Sequence, residues 1–185
     1  MNLTGIILCG GKSSRMGADK GLVNYKGKPL VQYSIELLQT YCDEVLLSCN
    51  NEDYKKFNLP LIPDEIKNIG PMGGIYSTLN SSNNEYCIII GCDVPNINHN
   101  LINLLIHSNK LKEYDFIVPI HQGKIEPLCA IYSKTVLNYI QQLIMVDNYK
   151  LQELLKKGRA NFIDVQYLLD DQPDLFKNVN SLDDL

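Results

Sequence analysis

Short apolar runs without polar alternation recur along this chain, with helix-like patterns between them. Residues 3–8, 44–49, 86–91, 116–118 and 128–132 are such runs, and one of them places Ile88, Ile89 and Ile90 in succession. A strand with no polar face must be covered on both sides, and parallel strands need crossover helices to connect them. The apolar spacing predicts those helices at about 29–39, 73–79, 100–108, 133–145 and 149–157. Asn51 is placed to cap a short polar helix, 59–62 reads as a short extended segment, and a last strand is expected near 161–165. Residues 119–126 read as a flexible loop. The expectation is a single α/β domain over 1–185, three layers deep, with a mostly parallel central sheet. Ligands of such sheets bind beyond the carboxyl ends of the strands, at a topological switch point.

The first apolar run ends in a glycine loop, Cys9-Gly10-Gly11-Lys12-Ser13-Ser14-Arg15-Met16-Gly17. Bare backbone N–H groups, a hydroxyl and two kinds of cation suit a bound phosphate chain. The spacing excludes a P-loop, because Ile6 stands where its first glycine would be. Adjacent Gly10 and Gly11 also exclude the dinucleotide pattern Gly-x-Gly-x-x-Gly. A plain turn would explain the glycines but not Ser13, Arg15 and Lys20 with them. Charge supports a local anionic ligand. The first 30 residues carry five cations against Asp19, a net +4, in a chain whose total is −4. A nucleic-acid surface would need a broader basic face.

At 185 residues, 45% hydrophobic and 21% charged, the chain has ordinary globular composition. No apolar run reaches the ~18 residues of a membrane span, and no secretory pattern opens the chain, so a cytoplasmic location is expected. The six cysteines form no Cys-x-x-Cys pair and read as buried free thiols. His99, His107 and His121 show no metal spacing and read as surface residues. Asp93 stands at the mouth of the 86–91 strand, where a carboxylate can ligate Mg²⁺ together with phosphate oxygens. Asp93-Val94-Pro95 also suits a helix cap, and Asp64 suits a turn.

Residues 8–20, from Leu8-Cys9-Gly10-Gly11 through Arg15-Met16-Gly17 to Lys20, resemble the signature of the NTP-transferase superfamily. Within it the chain most resembles the bacterial molybdenum cofactor guanylyltransferases. Gly27-Lys28-Pro29-Leu30, Asp64 with Gly70-Pro71-Met72-Gly73-Gly74, Cys92-Asp93-Val94-Pro95 and Asn178-Val179-Asn180 carry the likeness in order along nearly the whole chain. The family often has His-Pro-Leu where this chain reads Glu126-Pro127-Leu128. It also often has paired arginines where this chain has only Lys150 and Arg159.

The resemblance implies a Rossmann-like nucleotidyltransferase fold that moves GMP from GTP to the terminal phosphate of molybdopterin, with Mg²⁺ as cofactor. The N-terminal half would bind nucleotide and the C-terminal half the acceptor. It implies that Leu8, Cys9, Gly10, Gly11, Lys20, Asp64, Gly70, Gly74 and Asp93 bind GTP. Arg15, Lys20 and Asp93 would be catalytic, with Asp93 the metal ligand. Asn178 and Asn180 would bind the acceptor. Neither nucleic acid nor membrane is an expected partner; transient contact with other cofactor-biosynthesis proteins or recipient molybdoenzymes is. The first loop alone does not exclude cytidylyl transfer to the same pterin, nucleotidyl transfer to a sugar phosphate, or a non-catalytic carrier of nucleotide.

Overall fold

The computed structural model describes residues 2–10, 19–108 and 112–180. Strand β1 (Leu3–Leu8) lies in the interior of the sheet, paired on both sides. After it come a small hairpin, β2 (Asn24–Tyr25) and β3 (Lys28–Pro29), helix α1 (Leu30–Gln39), strand β4 (Glu44–Ser48) and strand β5 (Leu61–Ile62). Helix α2 (Pro71–Ser81) then leads to β6 (Tyr86–Gly91), and α3 (His99–Ile106) to β7 (Phe116–His121). Strands β8 (Lys124–Ile125) and β9 (Cys129–Ser133), helices α4 (Leu137–Ile144) and α5 (Leu151–Lys157), strand β10 (Ala160–Asp164) and helix α6 (Gln166–Asp171) complete the order.

The sheet runs β10-β7-β9-β6-β1-β4-β5, with β8 paired to β7 outside this path. The β10–β7, β6–β1, β1–β4 and β4–β5 pairs are parallel; β9 runs antiparallel between β6 and β7. The mostly parallel expectation therefore holds. The continuous apolar runs are explained by burial on both faces: Ile88 and Ile90 pack in one core cluster and Ile89 in the other. Among the described residues no helix is long and apolar enough to cross a membrane.

Two expectations need correction. Residues 119–126 are not a flexible loop: β7 and β8 pair antiparallel through Ile120↔Ile125 and His121↔Lys124. The two-residue turn puts Gln122 at φ 48° and Gly123 at φ 74°, the backbone a tight hairpin demands. Nor is His121 a surface residue; it is 8% exposed, whereas His99 and His107 are exposed. The fold also adds α6 and the β2–β3 hairpin, where Lys26 and Gly27 turn at positive φ. Strands of two residues each, Asn24–Tyr25 and Lys28–Pro29, leave no periodicity for such a hairpin to show in sequence.

Candidate active site

Strand order reverses at β1, which feeds β4 on one side and has β6 on the other. Leu8 is in register with Ser48 and Gly91, so three strands end level at their carboxyl termini. A cleft of about 560 Å³ opens there, with Gly10, Lys20, Asn50, Asp64, Gly70 and Asp93 among its lining residues. Leu8, Cys9 and Gly74 also line it. Gly11 and Arg15 lie outside the described residues.

Lys20 is the centre of the polar arrangement. Its Nζ donates to Asp93 Oδ2 at 2.7 Å and to Asn180 Oδ1 at 2.7 Å. These partners come from residues 73 and 160 positions away. Lys20 opens a short 3-10 turn whose cap, Asp19, accepts from Gly21 N–H at 3.3 Å. Asp19 also accepts from the Tyr54 hydroxyl and, at 3.3 Å, from Asn51 Nδ2. Burial pushes the Tyr54 phenol far above its ordinary pKa, so it stays a proton donor to Asp19. Asp19 and Tyr54 thus hold the base of the Lys20 turn. Sequence reasoning assigned neither a role; the cue was an acid immediately before the lysine, with no sign of its distant partner.

Asn178 and Asn180 are exposed on either side of buried Val179. The alternation agrees with an extended segment. Val179 N–H donates to the backbone oxygen of Asp93 at 2.9 Å. Val179 also packs with Tyr25 and Leu30. The C-terminal segment therefore passes beside the β6 end and brings Asn180 onto Lys20.

The other wall is built by α2. Gly70 precedes the helix at φ 63°, and Pro71 occupies its first turn, where the missing N–H costs nothing. A Cβ on Gly74 would stand 2.3 Å from Ser48 Oγ and 3.5 Å from Asp64 Oδ1. Glycine is thus what lets α2 approach the β4 end this closely. Asp64 is held from behind by its own N–H, which donates to Asn50 Oδ1 at 3.0 Å. Gly74→Ala is expected to overpack this wall at a cost of about 1–3 kcal/mol. It should lower the melting temperature and raise the KM for nucleotide, read by thermal melts and steady-state kinetics.

Cys9 lines the cleft, but its N–H is spent on Ser48 O at 2.9 Å. Among residues 8–10 the loop amide beyond this ladder is that of Gly10. All six cysteines are free, and all but half-buried Cys42 are buried. Burial raises the thiol pKa of Cys9 well above 9, those of Cys49 and Cys87 to about 11, and that of Cys42 to about 12. An acid with a raised folded-state pKa ionises first in the unfolded chain. Its stabilising contribution is therefore full below about pH 9 and declines above it. Thermal melts should be flat across this contribution from pH 7 to 8.5 and fall above pH 9. Native thiols should also alkylate slowly at pH 8 compared with the denatured chain.

Asp93 is a carboxylate in the cleft that could hold a divalent metal beside a nucleotide. Oδ2 is paired with Lys20, while Oδ1 accepts no hydrogen bond among the described residues and sits where a Cβ on Gly91 would come within 2.7 Å. Among the described residues no group of three or more His, Cys, Asp or Glu side chains forms a ready-made metal cage. One carboxylate oxygen completed by phosphate oxygens and water is the arrangement Mg²⁺ ordinarily takes beside a nucleotide.

Residues 5–162 match the MobA-like NTP transferase domain. The chain belongs to this family. It is 35% identical over 183 residues to a probable molybdenum cofactor guanylyltransferase of Flavobacterium johnsoniae, covering 99% of this chain and 94% of that one. A probable molybdenum cofactor guanylyltransferase of Clostridium perfringens is 31% identical over 183 residues, covering 96% and 91%. The fold matches the crystal structure of the molybdopterin-guanine dinucleotide biosynthesis protein A of Archaeoglobus fulgidus with a TM-score of 0.81. That match covers 98% of this chain and 94% of that one at 22% identity. Family membership makes the chain a nucleotidyltransferase.

Proposed function

We propose that the protein transfers GMP from GTP to the terminal phosphate of molybdopterin, with or without its metal, and releases pyrophosphate. The observation that carries this reading is the reach of Lys20 to both Asp93 and Asn180. One cation touches the residue suited to a metal beside the nucleotide phosphates and the residue suited to the acceptor. The family and the activity carried in the names of the relatives supply the base and the pterin.

An acceptor phosphate is already anionic at neutral pH, so the reaction needs no strong general base. The obstacle is bringing two anions together, and positioning with electrostatic stabilisation must overcome it. An oxygen of the acceptor phosphate bonds to the α-phosphorus of GTP. The bond from that phosphorus to the bridging oxygen breaks, and its electron pair leaves with pyrophosphate. Gly10 N–H and Arg15 hold the triphosphate, and Lys20 neutralises charge between donor and acceptor. Asp64 accepts from guanine nitrogens, with Gly70 and Gly74 letting the backbone close on the base. Asp93 would hold Mg²⁺, which when bound would supply Lewis-acid stabilisation of the phosphate oxygens. Asn178 and Asn180 bind the acceptor, so the N-terminal half serves the nucleotide and the C-terminal half the pterin.

The test is product identification. Incubation with GTP, Mg²⁺ and molybdopterin should yield the pterin–guanine dinucleotide by mass spectrometry, with one pyrophosphate per product. GTP bound without conversion would mark a carrier instead.

A further inference from the structure

His121 lies at the end of β7 and takes no part in the chemistry above. Its Nε2 is 3.0 Å from Glu126 Oε1. Its ring lies flat against Phe176, with centroids 4.9 Å apart and planes 1° from parallel. Nδ1 is buried and finds no partner among the described residues. The imidazole is therefore held from one edge and one face.

Phe176 sits midway along the C-terminal segment that carries Asn178 and Asn180. The segment is tied before this point: Gln172 Oε1 accepts from Asn98 Nδ2 at 2.7 Å, and Asp174 O from Asn96 Nδ2 at 3.1 Å. It is tied after this point through Val179 N–H to Asp93 O at 2.9 Å and Asn180 to Lys20. Between those ties Phe176 rests on the end of β7. Phe176 ends a turn over 173–176, closed by the Lys177 N–H donating to Asp174 O at 3.0 Å, and Asn178 follows within at most about 7 Å of chain. A shift of the ring thus passes to Asn178 with little slack, and small misplacements of a positioned group are costly to transfer.

We propose that His121 is a positioning residue for the acceptor. Glu126 sets the plane of the imidazole, the imidazole seats Phe176, and Phe176 fixes where the segment presents Asn178 and Asn180 beside Lys20. The proposal rests on the acceptor role given to those two asparagines. Glu126, which stands where the family often has His, acquires a use here as the partner that orients His121.

The test combines a local structural readout with a kinetic split. In His121→Ala, amide hydrogen exchange at Val179 is expected to quicken about two- to tenfold, the range of an aromatic contact. The KM for molybdopterin should rise by a similar factor while the KM for GTP stays as in wild type. Phe176→Ala should do the same, and the double variant should add nothing further. His121→Phe, which retains a flat ring, should recover most of the effect. If the alanine forms fold poorly, Glu126→Ala, which leaves the ring but removes the partner that orients it, serves as the milder variant and should quicken exchange at Val179 by about twofold, wild-type exchange there overturning the proposal. Wild-type exchange at Val179 in His121→Ala would overturn the proposal. So would additive single effects, or an equal change in both KM values. Hydrogen exchange reports on the segment without any substrate. If wild type fails to act on the pterin, the acceptor assignment falls while the exchange at Val179 still decides the positioning.

Discussion

Lys20→Ala is expected to lower turnover by about 10²-fold or more while leaving the fold intact. The scale follows from losing one preorganised group that stabilises charge developing in the transition state. Two things are lost together. The phosphates lose a cation, and Asp93 loses its partner at 2.7 Å, leaving a bare carboxylate facing an incoming polyanion. Stability should change little, because the paired side chains are 19% and 28% exposed, and ion pairs in contact with water contribute at most about 1 kcal/mol. Steady-state pyrophosphate release and a thermal melt on the same sample separate the two effects. Lys20→Arg should recover only part of the rate, since a planar guanidinium does not place a point charge between Asp93 and Asn180. Near-normal turnover of Lys20→Ala would remove Lys20 from the site chemistry.

Asp93→Asn is expected to cost about as much, about 10²-fold in turnover, with a different signature. The asparagine oxygen can still accept from Lys20, so the geometry of the β6 end is kept. What disappears is the negative charge that would hold a divalent cation. The Mg²⁺ concentration giving half-maximal rate should therefore move upward, whereas Lys20→Ala should leave that midpoint nearer the wild-type value. Titrating Mg²⁺ against pyrophosphate release in both variants distinguishes them. An unchanged Mg²⁺ midpoint in Asp93→Asn would place the metal elsewhere.

Much of the fold could be read from the chain because its strands are buried on both faces. Ile88, Ile89 and Ile90 need cover whichever way they point, and this requirement alone implies helices on either side of a sheet. The direction of β9 was not legible. Its residues are buried like those of β6 and β7 on either side of it, and strand polarity depends on a connection rather than a composition. The β7–β8 hairpin was missed because Gln122 shares the positive-φ turn with Gly123, and glutamine gives no warning of it. His121 was misread because its environment is assembled by Glu126 and by Phe176, 55 positions later in the chain. The site divides in the same way. Gly10 and Asp93 follow the ends of apolar strands and could be placed beyond one sheet edge from position alone, whereas Asp64 and Gly70 came to the same cleft only through the family resemblance. The bridge from Lys20 to Asn180 spans 160 positions, and the support of Lys20 by Asp19 and Tyr54 depends on how the turn packs. Local pattern carries no record of either.

The most direct test of guanylyl transfer is pyrophosphate release measured with each of the four nucleoside triphosphates, with Mg²⁺, in the presence and absence of molybdopterin. Release is expected with GTP and only when the pterin is present. A preference for CTP, or equal release without the pterin, would contradict it.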